Sequence, residues 1–202
     1  TVPGKKSLVP ILDWNGSDEY VNTLDDSAWD GGNGSTDNAI TVGCWIKPDS
    51  VSGGGYLFSK FAPAATGDWA LDIASSGPRF SVRDPSASKN ARMQCDTDLV
   101  DGVWVFVVVT YDGTGGSNAL ADPNCQIYID GAKKSSTYDD DVGGYVAMEG
   151  STNTLDIGAD NGDDFYDGKM AGGSLGPFFV KSELSADAIL RLYEVGRRAL
   201  NL

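Results

Sequence analysis

Short apolar runs alternate with clusters of Gly, Asp, Asn, Ser and Pro along the whole chain, the pattern of an all-β protein with frequent turns. Strands are predicted at 8–14, 19–22, 39–48, 56–61, 69–74, 79–83, 92–97, 103–111, 126–129, 133–138, 154–159 and 175–181. The run Val103–Tyr111 is apolar on both alternating sets, so protein should cover both of its faces. Asp112-Gly113 and Asp130-Gly131 each close a strand with a pair that tolerates positive φ, and both are read as hairpin-type turns. One helix is predicted over 186–195, with Ser185 as N-cap, Leu184 and Ile189 as a hydrophobic staple, and Gly196 as the stop. Its face of Ile189, Leu192 and Tyr193 should dock on the sheets.

These elements suit one sandwich domain spanning residues 1–202, since a single all-β core can serve a chain of this length. Twenty-six glycines without a period agree with many tight turns. The formal net charge of −14 opposes nucleic acid and anionic lipid over most of the surface. The longest apolar run, 103–109, is far too short to cross a bilayer as a helix. Cys44, Cys95 and Cys125 leave an odd thiol and no C-x-x-C spacing, so a disulfide framework is not expected, and Cys44 reads as a small buried hydrophobe. No signal-peptide pattern follows Thr1. The unpatterned cysteines favour synthesis in a reducing cytosol, with secretion after removal of a signal as the alternative.

Several motifs carry a family resemblance. They are Asp13-Trp14-Asn15-Gly16-Ser17-Asp18-Glu19-Tyr20-Val21, Ile40-Thr41-Val42-Gly43-Cys44-Trp45-Ile46-Lys47-Pro48 and Leu57-Phe58-Ser59-Lys60. Downstream stand Asp101-Gly102-Val103-Trp104, Tyr111-Asp112-Gly113, Ile127-Tyr128-Ile129-Asp130-Gly131, Leu155-Asp156-Ile157-Gly158 and Leu184-Ser185. Together they resemble the laminin-G-like branch of the concanavalin A-like lectin/glucanase superfamily. The resemblance implies a jelly-roll sandwich of two antiparallel sheets, often with calcium at the loop rim and glycan or protein ligands. The chain departs from that pattern at Val105 and Phe106, where the family usually has histidine. It departs again at Gly172, Gly173 and Ser174, where the family usually has an acid.

The chain has no histidine, which removes Ser-His-Asp and Cys-His catalysis and imidazole metal sites together. Glycoside hydrolysis needs two carboxylates across the scissile bond. The four glutamates, Glu19, Glu149, Glu183 and Glu194, are scattered, and none has an acid two residues away within an apolar strand. No phosphate loop is present around Gly168-Lys169. Two acidic clusters are candidates for calcium, which takes oxygen ligands from flexible loops. The better is Asp160, Asn161, Asp163 and Asp164, with Asp167 nearby, and the other is Asp139-Asp140-Asp141. Trp29, Trp69, Tyr138, Tyr145 and Tyr166 lie near predicted loops and are candidates for stacking on a ligand, whereas Trp14, Trp45 and Trp104 read as core.

The expected function is therefore a non-catalytic, surface-exposed structural or adhesion module. The favoured setting is a virion surface, as a phage decoration or fibre-type protein contacting capsid or tail proteins through 1–10, where Lys5 and Lys6 are the early cations. The competing reading is a calcium-assisted lectin-like module that grips cell-surface glycan at the loop rim. A glycoside hydrolase is the remote third, and homo-oligomerisation stays open.

Overall fold

The computed structural model describes residues 9–62, 66–140 and 144–202. Its strands are β1 (Ile11–Asn15), β2 (Val21–Asn22), β3 (Ile40–Pro48), β4 (Gly55–Ala62), β5 (Thr66–Ala74), β6 (Gly77–Asp84), β7 (Lys89–Cys95), β8 (Val105–Tyr111), β9 (Cys125–Ile129), β10 (Ala132–Lys133), β11 (Ser136–Asp140), β12 (Asp156–Ile157), β13 (Asp167–Ala171) and β14 (Phe178–Val180). One helix, α1 (Ala186–Ala199), follows. All strand pairs are antiparallel and form two sheets, giving a jelly-roll sandwich. The first is ordered β1-β13-β3-β8-β9-β10, and the second β11-β7-β6-β5-β4-β12-β2. β14 and β13 share one edge of β3, pairing with Thr41–Gly43 and Ile46–Pro48 respectively.

Strand alternation sorts the side chains into two clusters. From β3, Ile40, Val42, Cys44 and Ile46 point between the sheets, and from β8, Val105, Val107, Val109 and Tyr111 do the same. The second sheet meets them with Leu57, Phe58, Trp69, Leu71, Ile73, Phe80, Val82, Ala91 and Met93. On the other side of the first sheet, Trp45, Phe106, Val108 and Tyr128 pack beneath α1. Both faces of β8 are thus covered, as the apolar run demands. The strand itself starts at Val105 and leaves Val103 half exposed.

The helix begins as expected. The Ser185 hydroxyl accepts from the Ala188 amide at 3.3 Å, Ile189 is fully buried, and Leu184 packs against the same cluster. Two details differ from the sequence reading. Leu192 stays exposed while Tyr193 docks. Gly196 does not stop the helix, which runs on to Ala199. It is there for closeness, because a Cβ at 196 would lie 2.1 Å from Trp45 Nε1. The Trp45 ring is stacked against Phe106 at 5.2 Å and Tyr193 at 5.6 Å.

Asp130-Gly131 forms the expected two-residue hairpin, with φ of 53° and 76° and Ile129 facing Ala132. Asp112-Gly113 ends β8 but opens a long loop, and β9 begins only at Cys125. β13, which the sequence reading missed, is a real strand whose polar Asp167, Gly168 and Lys169 disguise it.

Candidate functional site

Three of the five aromatic candidates are buried and must be withdrawn as ligand contacts. Trp69 and Tyr166 are fully buried and Tyr145 nearly so. They flank loops in sequence, but all three side chains belong to the core cluster between the sheets. Trp69 stacks on Phe179 at 5.1 Å and donates its indole N–H to the Trp29 carbonyl at 2.9 Å. The Tyr145 hydroxyl donates to the Asp37 carboxylate, as does that of Tyr111, and Asp37 also accepts from the Met148 amide. Burial pushes the Asp37 carboxyl above its usual range and Tyr111 and Tyr145 well above theirs. This cluster pins the loops at one end of the fold. Trp29 and Tyr138 remain partly accessible, though both pack against the main core.

The Asp160–Asp164 segment curls back on itself as the sequence suggested. Asp160 and Asp163 exchange amide-to-carbonyl bonds of 2.8 and 2.9 Å across Asn161 and Gly162, both at positive φ. The carboxylates do not converge. Asp160 Oδ1 accepts from the Ser59 hydroxyl at 2.7 Å, and Asp163 Oδ1 from the Asp164 amide at 3.0 Å. No group of three or more acidic or thiol side chains forms a metal-binding cluster among the described residues. Asp141 and the side chains of Asp139 and Asp140 lie outside the described set, as do residues 1–8 of the proposed contact segment.

A different constellation stands on the outward side of the second sheet, the side that α1 does not cover. Asp72 of β5 and Arg79 of β6 are directly opposed in register. The Asp72 carboxylate accepts from Arg79 Nε at 3.1 Å and Nη2 at 2.5 Å, a forked pair with Asp72 only 4% exposed. Burial raises the Asp72 carboxyl above its usual value against the pull of Arg79 and Arg92. Beside the fork lies Tyr56 of β4, whose phenol is pushed up to about 12 by burial and by Asp72 and Asp160, so it remains a hydrogen-bond donor at neutral pH. These residues floor a cavity of about 690 Å³, walled by Val51–Gly55, Ser75, Ser76, Asp163, Asp164 and Phe165. Gly55, at φ +117°, lets the wall close, because a Cβ there would meet the Phe165 carbonyl at 2.6 Å. Phe165 in turn rests against the half-exposed Tyr20, with ring centroids 6.0 Å apart.

The sequence held a signal for this face. Asp72 interrupts Trp69-Ala-Leu-Asp-Ile, and Arg79, Ser81 and Arg83 alternate with Phe80 and Val82, which places them together on one side of adjoining strands.

At one end of the second sheet the buried Lys60 ammonium donates to the Ser151 and Asn153 carbonyls at 2.8 and 3.0 Å and pairs with Asp25 and Asp30. Asp68 lies near it, fully buried, and burial pushes its carboxyl up to about 7. This cluster ties loops to the sheet.

The fold and its open face can be set beside known proteins. The family model Laminin_G_3, described as the concanavalin A-like lectin/glucanases superfamily, matches residues 15–173. The chain belongs to this superfamily. Solved structures with the same jelly roll include the receptor-binding domain of botulinum neurotoxin D, at 16% identity and a TM-score of 0.57, covering 92% of this chain and 43% of that one. This chain therefore spans under half of that neurotoxin domain. The CBM40 of the Ruminococcus gnavus IT-sialidase, bound to α2,3 sialyllactose, is 13% identical with a TM-score of 0.56 and covers 91% and 98%. Domain 4 of AbnA, an extracellular GH43 arabinanase from Geobacillus stearothermophilus, in complex with arabinotriose, is 14% identical with a TM-score of 0.54 and covers 91% and 88%. At these identities the likeness is one of fold. No match to a curated protein sequence is found. No helix of the described residues is long and apolar enough to cross a membrane.

Proposed function

We propose that this superfamily member is a non-catalytic module that binds carbohydrate on the outward side of its second sheet. The observation that carries this reading is the Asp72–Arg79 fork on the floor of the 690 Å³ cavity, between Tyr56 and Phe165. A sugar ring offers paired hydroxyls and apolar C–H faces. A fixed, planar, partly desolvated ion pair can take two hydroxyls at once, and a ring wall can take the C–H face. The likeness to CBM40 and to AbnA domain 4, each solved with a saccharide, supports the same reading. Hydrolysis finds little support, because Asp72 is held by Arg79 and Asp160 by Ser59.

The test is a glycan array followed by calorimetry on the wild type, Tyr56→Ala and Arg79→Ala. Losing the charged hydrogen bonds of Arg79 should weaken binding about 10- to 100-fold, from roughly 1.5–3 kcal/mol per interaction. Absence of any saccharide binding at millimolar concentration would overturn the proposal. If the protein then co-purified with capsid or tail components, it would be a decoration or fibre-type module of a virion surface instead. Calcium at the Asp160–Asp164 hairpin is a separate proposal, supported by its run of acids. A chelator that leaves the thermal midpoint unchanged would remove it.

A further inference from the structure

Left-handed backbone concentrates around the cavity. Among the described residues seven that carry a side chain have positive φ, and three of them line the cavity wall: Ser75 at 48°, Ser76 at 68° and Asp164 at 46°. Gly54 and Gly55 of the same wall lie at 71° and 117°. A residue with a Cβ is strained in this region and stays there only where its surroundings fix it, which happens most at ligand clamps and active sites.

The serine pair is the clearest case. Ala74 of β5 is opposite Gly77 of β6, so Ser75 and Ser76 form a two-residue hairpin turn. With both central residues at positive φ, such a turn is relaxed with Asn-Gly, Asp-Gly or Gly-Gly. The chain uses that solution at Asp130-Gly131, with φ of 53° and 76°. The serine turn is instead held from outside. Gln94 Nε2 donates to the Ala74 and Pro78 carbonyls at 3.0 and 3.3 Å, and the Leu99 amide donates to the Ser76 carbonyl at 2.7 Å. Neither serine hydroxyl has a hydrogen-bond partner among the described residues, so the fold makes no use of what serine offers over glycine. Ser75 follows Asp72 by three residues and Ser76 precedes Arg79 by three. One hairpin therefore supplies the fork on the cavity floor and, roughly 10 Å further along at about 3.3 Å per residue, part of its wall.

We propose that Ser75 and Ser76 are specificity-determining residues, whose hydroxyls bond hydroxyls of the bound saccharide at the end of the cavity beyond the Asp72–Arg79 fork. This rests on the carbohydrate reading above. A serine hydroxyl both donates and accepts, so it matches a sugar hydroxyl in either role. A short side chain on a turn fixed by Gln94 and Leu99 loses little freedom when the ligand arrives. The turn is thus less stable than its sequence could make it, because a relaxed Gly-Gly turn would present no hydroxyl to the ligand.

The test pairs thermal melts with calorimetry against arabinotriose, α2,3-sialyllactose and the strongest binder on the glycan array. Ser75→Gly and Ser76→Gly each remove one hydroxyl and relieve one strained position while keeping the turn. Each should raise the thermal midpoint by about 2–4 °C and weaken binding about two- to ten-fold, the range of one neutral hydrogen bond. Ser88→Gly is the matched control, because Ser88 is exposed at a φ of 54° and lies off the cavity. Its midpoint should rise with no change in affinity. A purely structural role for the serines would move stability and affinity in the same direction, so the opposed shifts are the signature of ligand contact. Unchanged affinity in either turn variant overturns this inference and leaves the carbohydrate reading intact. A midpoint that fails to rise, or an equal loss of binding in Ser88→Gly, overturns it as well. Failure of the wild type to bind any of these saccharides overturns both.

Discussion

Replacing Gly196 by alanine separates two roles for a glycine near a helix end, because they predict opposite signs. If Gly196 only marked the helix terminus, Gly196→Ala would add about 1 kcal/mol of helix propensity. In a chain of this size that would raise the thermal midpoint by roughly 2–4 °C. The structure predicts a loss. The new Cβ would lie 2.1 Å from Trp45 Nε1 and 2.6 Å from Cε2, where carbon contacts normally need about 3.5–4.0 Å. Trp45 cannot slide away, since Phe106 stacks on it at 5.2 Å and Tyr193 at 5.6 Å. Overpacking of this kind costs about 1–3 kcal/mol, and disturbing an aromatic stack about 0.5–1.5 kcal/mol more. After the propensity gain, the net loss is about 2 kcal/mol, a fall of roughly 4–8 °C. Circular dichroism melts of the purified variant read this directly. Trp45→Phe in the same background should recover part of the loss, because the smaller ring vacates the space under residue 196, and a double-mutant cycle gives the coupling. A midpoint at or above that of the wild type would refute the packing role of Gly196.

Two further perturbations test other parts of the fold. Asp68 titrates near 7 in the folded chain and near 3.8 when free, so between those values the folded state holds a proton that the unfolded chain has released. Stability from this group is complete below about pH 4 and is lost as pH rises through 7, by at most about 4 kcal/mol at ~1.4 kcal/mol per pH unit. Asp68→Asn should flatten that decline and be more stable than the wild type at pH 8. A difference between the two proteins that does not change from pH 4 to 8 in urea titrations would sink the assignment. Ser185→Ala removes the bond to the Ala188 amide and should cost about 1 kcal/mol, whereas Ser185→Asp should retain most of the stability. An equal loss in both would mean that the hydroxyl is not capping α1.

The first sheet was the legible half of the fold. The double alternation of 103–111 and the single alternation of 40–46 state which faces are buried, and the structure agrees apart from the strand's first residues. Asp130-Gly131 likewise encodes its own turn. Errors arose where position depends on what folds over a segment. Trp69 follows polar residues in sequence, but its alternation with Leu71 and Ile73 puts it on the core face, whereas no local pattern tells that Tyr166 is covered. Gly196 is indistinguishable from a helix stop until Trp45 is seen beneath it. β13 pairs with both β1 and β3, so its burial comes from distant strands and its composition says little. The candidate site was hidden for another reason. Asp72, Arg79, Ser81 and Arg83 look like the solvated face of ordinary strands, and only the register that opposes Asp72 to Arg79 makes them a constellation.

The placement of α1 over one sheet alone has a consequence for how this protein can change over time. Residues of β3 and β8 are constrained from two layers, so a substitution at Val42, Trp45 or Val107 is felt by the core or by the helix seal. Residues 56, 79, 83 and 92 point away from the core while their immediate neighbours hold it together. The exposed position 92 can be exchanged at small energetic cost, whereas Arg79 is tied to the buried Asp72 and Arg83 covers Phe61. The architecture therefore separates heredity of shape from heredity of preference: exposed outward positions of the second sheet can vary while the sealed sheet keeps every descendant folded.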